Sequence, residues 1–283
     1  MPELPEVETV RRGLVKSCIG KKIIDVEVLH RRATNPRSLS PLNVAVGSTI
    51  NNVSRRGKFL WFELDRPIAL VAHLGMSGQF RIHDKQNEVV PAHKHVRTRF
   101  TLAQDGRGAR TTDLRFIDQR TFGWLAICEY RDGVPELVSK IARDIFDPEF
   151  DSKKIVAKFR SKRTEIKRAL LDQNLMSGVG NIYADESLWR AKIHPQSQAS
   201  ELSARKISGL LDTVRVVMSQ ALVEGGTSFD SLYVNINGES GYFERSLEVY
   251  GREHQHCSRC GGEIRRIAFA GRSSHFCPIC QRR

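Results

Sequence analysis

The chain has 283 residues, with 45 Lys and Arg against 32 Asp and Glu and a formal net charge of +13. That length accommodates two domains with cores of their own, and the positive excess points to a polyanionic partner. No apolar run approaches the ~20 residues of a membrane span, and Glu3, Glu6 and Glu8 stand where a secretion signal would need an apolar stretch.

The first predicted element is a helix. Pro5 suits its first turn, Val7, Val10 and Leu14 repeat at helical spacing, and Gly20 is a stop. Just ahead of it lies Pro2. Removal of Met1 would expose a secondary amine able to attack an electrophilic carbon and form a cationic iminium. An α-amino group titrates near ~7.7–8.0 against ~10.4 for lysine, and the positive end of the following helix disfavours its protonated form further. Glu3 and Glu6 put carboxylates within reach for proton transfer. Taken alone, the segment reads first as a Pro/Glu-rich lead into a helix, with the nucleophile as the alternative.

From Lys21 to about Cys128 the pattern is that of strands. Ile24, Val26 and Val28 alternate, Lys58 to Glu63 and Ile68 to Ala72 flank an Asp65-Arg66-Pro67 turn, and Val96 to Leu102 and Leu114 to Cys128 add further β segments. Many short strands with polar turns suggest a sandwich or barrel-like domain. Arg55-Arg56-Gly57-Lys58 is a basic hairpin that solvation alone could explain. His73 to Gly78 is a turn with Met76 at its tip, a residue type more often found in a core. Asp118-x-Arg120-x-Phe122-Gly123 would place a cation and a ring on one strand face, where core packing is the default reading. Asp132-Gly133, Pro135 and Asp147-Pro148 mark a connector.

Beyond it the period becomes helical. Short helices are expected over 152–160, 164–171 and 181–190. A long amphipathic helix runs through Ile207, Leu210, Val214, Val217, Ala221 and Leu222 and ends at Gly225-Gly226. Ser177-Gly178-Val179-Gly180-Asn181 precedes the third short helix, with Asn181 as its cap; it reads equally as a plain turn and as a phosphate site at a helix start. Residues 227–242 are rich in Gly, Ser and Asn. Cys257-x2-Cys260 and Cys277-x2-Cys280 have the spacing of a structural four-thiolate zinc site, with a disulfide pair as the alternative. From Arg252 onward there are seven Arg and two Glu, so this lobe is cationic, and Arg272 in the hairpin between the knuckles is placed to meet a phosphate. Cys18 and Cys128 stand apart and read as reduced, buried thiols of a cytosolic chain.

Together these segments resemble the formamidopyrimidine-DNA glycosylase family. The resemblance is carried by Pro2 to Glu8, Gly57-Lys58, His73 to Gly78, Asp118 to Gly123, Gly178 to Tyr183, Gly241 to Phe243, Val249 to Arg252 and the cysteine ribbon ending at Gln281. It implies an α+β fold: an N-terminal helix plus β-sandwich catalytic domain (1–133), a linker (134–150), a helix-two-turns-helix domain (151–226), a lesion-recognition loop (227–245) and a β-hairpin zinc finger (246–283). It also implies a bifunctional enzyme that excises 8-oxoguanine and formamidopyrimidines from double-stranded DNA and then nicks the abasic site by β,δ-elimination. Pro2 would be the nucleophile and Glu3 the proton shuttle, with Glu6 at the base pocket. Lys58, His73, Asn181, Tyr250 and Arg272 match phosphate-gripping positions, Lys58 and Arg272 within the catalytic set. Met76, Arg120 and Phe122 match the wedge that fills the stack after base flipping, and His93 matches a DNA contact. One structural Zn2+ on Cys257, Cys260, Cys277 and Cys280, a monomeric state and a cytoplasmic, nucleoid-associated location complete the expectation. Two departures stand out: Lys94 and Arg97 replace the family's usual acidic neighbours of His93, and Tyr233 to Gly238 does not map onto lesion contacts. An endonuclease VIII-type glycosylase for oxidised pyrimidines and a non-catalytic zinc-ribbon DNA-binding protein are the alternatives.

Overall fold

The computed structural model describes residues 2–84, 94–104, 111–227 and 242–283. The chain divides between Lys140 and Ile141, and of the residues after the long helix, Gly225 to Thr227 and Tyr242 belong with the first unit.

The first unit opens with α1 (Leu4–Cys18), which buries Leu4, Val7, Val10, Leu14 and Cys18 along one stripe, as the helical spacing requires. Among the described residues nine strands follow: β1 (Lys22–Val28), β2 (Ile50–Arg56), β3 (Phe59–Leu64), β4 (Ile68–His73), β5 (Gly78–Asp84), β6 (Val96–Ala103), β7 (Thr111–Asp118), β8 (Trp124–Arg131) and β9 (Val134–Pro135). They form two antiparallel sheets, ordered β1-β6-β7-β5 and β2-β3-β4-β8-β9. Apolar residues of both sheets and of α1 merge into one core, where Phe62 of one sheet meets Phe80 of the other edge-on at 5.7 Å. This is the inner face of a sandwich.

Two strand expectations need correcting. In β1 the buried residue is Ile23, while Ile24 is half-buried and Val28 is exposed, because the pairing with β6 shifts between Ile23 and Asp25. A bulge of this kind reverses the faces that simple alternation assigns. Second, β7 ends at Asp118, so Arg120 and Phe122 lie in a turn and not on a strand face. Thr121 there has φ of +55°, outside the range of any strand. The connector region also holds structure: β9 and a helical turn, α2 (Glu136–Ser139), precede the division.

The second unit carries α3 (Ser152–Arg160), α4 (Ile166–Leu171), α5 (Asn181–Arg190), α6 (Ala204–Val223) and a hairpin of β10 (Arg265–Phe269) and β11 (Arg272–Phe276). Asp151 and Ser203 cap α3 and α6 by accepting from Lys154 N and Lys206 N. Asn181 is not a cap. Gly180 takes that position in extended conformation, and Asn181 is the first helical residue. The hairpin turn is Ala270-Gly271, both at positive φ, the two-residue geometry that matches strand twist. Beside it a small core gathers Trp189, Val249, Cys257, Ile264 and Cys277.

Candidate functional site

The start of α1 is built from carboxylates. Glu3 occupies the N-cap, and its backbone N–H donates to Glu6 Oε2 at 2.9 Å within a reciprocal capping box. The other oxygen of Glu6 accepts from Thr227 N at 2.8 Å and Thr227 Oγ1 at 3.0 Å. A Cβ on Gly226, whose φ is +85°, would come within 2.9 Å of the same carboxylate, so only glycine lets the chain pass there. Pro2, Glu3 and Glu6 are all buried. The nitrogen of Pro2 is thereby fixed one residue ahead of the positive end of a fifteen-residue helix.

Glu8 ties this helix to the basic hairpin. Arg11 and Arg12 bond it from one turn along, and Arg55 Nε reaches it at 3.1 Å from β2. Burial alone would push its carboxyl up; the bond from Arg11 and the charges of Arg55 and Arg11 outweigh that and hold it down at about 2. Arg11 and Arg12 are its neighbours along the helix, three and four residues on, whereas Arg55 comes from a separate strand. Lys58 ends the two-residue Gly57-Lys58 loop between β2 and β3 and is 7% exposed, so the hairpin is not merely solvated. His73 lies opposite Phe59 on β4 and stacks on Trp124 at 5.8 Å. Burial and the nearby Lys58 charge pull its imidazole down to about 4, and Nδ1 accepts from Gly75 N at 3.2 Å. The ring is therefore neutral near pH 7, with its second nitrogen as donor.

Met76 and Phe122 are exposed, at 40% and 61%, and Arg120 is exposed beside them; none is core. Their turns are locked from beneath. Asp118, fully buried, accepts from Ser77 Oγ at 2.5 Å and Gly123 N at 2.7 Å, and Ser77 Oγ accepts from Arg120 N at 3.0 Å. Gly75, at φ +59°, packs so closely that a Cβ would sit 2.4 Å from Gly123 N and Phe122 C. A rigid polar base thus holds out two apolar side chains and a cation, an arrangement suited to entering a gap between bases. Asp118 and Ser77 stand within the two segments read from sequence but were given no role there, since nothing local marks them as partners.

In the second unit, Asn181 Nδ2 and Lys167 Nζ both donate to Ser273 O, at 2.9 and 3.0 Å, directly after exposed Arg272. Lys167 and Asp185 form a fully buried ion pair at 2.7 Å, and Asp185 accepts from Ser274 Oγ and His275 N. Such a pair is stable only with its remaining bonding capacity met, which the hairpin supplies. Glu186 accepts the backbone N–H groups of Glu248, Val249 and Tyr250, and the Tyr250 ring meets His275 edge-on at 5.1 Å. Asn181, Tyr250 and Arg272 are therefore anchored around α5. His93 and Tyr233 to Gly238 lie outside the described residues.

Cys257, Cys260, Cys277 and Cys280 place their sulfurs within 4.8 Å of one another. A tetrahedral ion with bonds of about 2.3 Å sets its thiolates about 3.8 Å apart, so the cluster fits zinc. Burial and then the neighbouring sulfurs push Cys280 up to about 12, while Cys257, which burial alone would raise, is brought down to about 7 by bonds from Trp189 and from backbone N–H groups. Cys18 and Cys128 are buried free thiols, raised by burial to about 12 and about 11. Among the described residues no helix is long and apolar enough to cross a membrane.

Three family models match the chain: the formamidopyrimidine-DNA glycosylase N-terminal domain over residues 1–125, the H2TH domain of the same enzymes over 141–231, and the zinc finger found in FPG and IleRS over 255–283. The formamidopyrimidine-DNA glycosylase of Salinispora arenicola is 52% identical over 286 residues, covering 100% of this chain and 97% of the relative. Among solved structures, the Lactococcus lactis Fpg bound to DNA containing an abasic site matches with a TM-score of 0.88 at 37% identity, covering 99% of this chain and 100% of that one. A mutant of the same protein bound to DNA containing Fapy-dG matches with a TM-score of 0.88 at 37% identity over 100% of both chains. A buried Pro2-Glu3 segment at a helix start, a sandwich, an H2TH domain and a cysteine ribbon are the features of a DNA-repair glycosylase. The chain belongs to the formamidopyrimidine-DNA glycosylase family.

Proposed function

We propose that the chain removes 8-oxoguanine and formamidopyrimidines from double-stranded DNA and cuts the resulting abasic site. The observation that carries this reading is the buried start of α1, where the capping box of Glu3 and Glu6 fixes the Pro2 nitrogen at the positive end of a helix. With Met1 removed, that nitrogen bonds to the sugar C1′ as the bond to the base breaks and the departing base takes up a proton from water. Glu3 then carries the proton lost by the amine to O4′ as the sugar ring opens, leaving an iminium. Loss of a C2′ proton then expels the 3′ phosphate, and a second elimination expels the 5′ phosphate. Lys58, His73, Asn181, Tyr250 and Arg272 hold phosphates, and Met76, Arg120 and Phe122 occupy the gap left by the flipped nucleotide.

Zinc on the four cysteines has a structural role: four thiolates leave no open position for water or substrate, and the ion supplies only the cross-link that closes the ribbon. The +13 net charge supports binding to duplex DNA, and the chain acts as a cytoplasmic, nucleoid-associated monomer. Glu6, with both oxygens engaged by Glu3 and Thr227, shapes the base pocket by positioning those two residues.

A duplex with one 8-oxoguanine opposite cytosine tests the reading. Cleavage that leaves phosphate on both new ends is expected. Intact DNA would contradict catalysis altogether, and much faster cutting at oxidised pyrimidines would favour the endonuclease VIII type.

A further inference from the structure

One face of α5 meets the cysteine ribbon at successive levels. Asn181 bonds Ser273 O, Asp185 bonds Ser274 and His275, and one turn later Trp189 Nε1 donates to Cys257 Sγ at 3.4 Å. The indole has a single N–H, the side chain is 6% exposed, and an unpaired donor at that depth would be costly. Its orientation is fixed from the ribbon side. Arg259, inside the first Cys-x2-Cys knuckle, lies over the Trp189 ring at 4.0 Å and donates to Trp189 O at 2.9 Å. The knuckle therefore grips the indole by its face and by its backbone, leaving the N–H directed at one of the four sulfurs.

We propose that Trp189 is a positioning residue of the metal centre: beside the backbone donors of the knuckle, its N–H holds the Cys257 sulfur in place and takes up part of the thiolate charge. This rests on the zinc reading of the cluster. Metal thiolates carry excess negative charge, and a fixed N–H donor to sulfur both disperses it and restricts the ligand to its bonding direction. The metal site is thus completed by a helix outside the ribbon, 68 positions away in sequence. Loss of this donor weakens metal retention while all four ligands remain.

The test uses full-length protein loaded with zinc, and a Trp189→Phe variant loaded likewise. Transfer of zinc to 4-(2-pyridylazo)resorcinol is followed in both, and the thiolate-to-metal charge-transfer band is recorded after cobalt(II) substitution. Removing an outer partner of a metal ligand typically costs about 10–100-fold in affinity, so release at least ~10-fold faster is expected. The charge-transfer band should also move to lower energy, because the sulfur lone pair is no longer stabilised by the N–H. Release within twofold of wild type, or an unmoved band, overturns the proposal. If the Phe variant does not fold, β-(3-benzothienyl)alanine at position 189 keeps the shape, removes the N–H and is read by the same two criteria. Wild-type protein without one zinc per chain would sink the metal reading itself, a result distinct from normal loading with unchanged release.

Discussion

The start of α1 and the face of α5 each hold candidate site residues in place, by opposite means. At α1 the partners are mostly sequence neighbours: Glu3 with Glu6, and Glu8 with Arg11 and Arg12, all within one turn. They rest on a core shared by two sheets. At α5 the partners are remote, with Asn181 and Asp185 reaching Ser273, Ser274 and His275 some ninety positions on. The adjoining apolar cluster has five buried members, two of them cysteines. Where a large core backs the helix, most of the bonds that hold its start are short-range, with Thr227 and Arg55 the remote partners. A ribbon with a small core needs a metal and buried polar links.

The largest effect that would break this comparison comes from the metal. Cys277→Ser should drop zinc below one per chain, open the ribbon to protease and weaken duplex binding at least tenfold, because structural zinc supplies about 10–16 kcal/mol of folding free energy in isolated fingers. Residues 2–84 should stay resistant. Unchanged zinc content and affinity would show that the second unit is as self-sufficient as the first.

Next in size, Gly75→Ala probes how rigid the base of the Met76 and Phe122 turns is. The left-handed backbone costs about 1–2 kcal/mol and overpacking against Gly123 and Phe122 about 1–3 kcal/mol more, read from denaturant unfolding. A change below 0.5 kcal/mol, about the level of an ordinary surface substitution, would mean these turns adapt.

Phe122→Ala should leave stability nearly untouched, because the ring is 61% exposed. It should slow excision from duplex DNA far more than cleavage at a pre-formed abasic site, where no base must be extruded. Equal slowing on both substrates would argue against insertion into the stack.

The smallest effect is in pH. His73 is held at about 4, below its usual 6.5, so the unfolded chain takes up its proton first and stability falls as pH drops from 6.5 towards 4. Glu8 is held at about 2, below 4.5, so its contribution is complete above 4.5 and is lost as pH falls towards 2. His73→Gln should flatten the upper part of that profile and leave the lower part. An identical profile in the variant would place the imidazole in an ordinary aqueous setting.

What could be read from the sequence follows the same divide. The helix after Pro5, the thiol spacing of the ribbon and most strands were legible because their signals are local and periodic. The bulge at Ile23, the turn at Asp118 to Gly123 and the N-cap at Gly180 were not, since each depends on a partner strand or a buried carboxylate elsewhere. Lys167, Asp185, Glu186 and Trp189 gave no signal either. On a helix they look like ordinary charged or core residues, and only the folded chain reveals their partners, on α5 itself, in the segment 248–250, in the first knuckle and in the hairpin.

The central claim, that the Pro2 amine is the nucleophile, is tested most directly by borohydride trapping on DNA carrying one 8-oxoguanine. Protein with Met1 removed should form a covalent adduct, and the same protein with Met1 retained or an N-terminal tag should form none, on this substrate and at an abasic site alike. Efficient trapping by the blocked protein would assign the chemistry to a lysine and contradict the account.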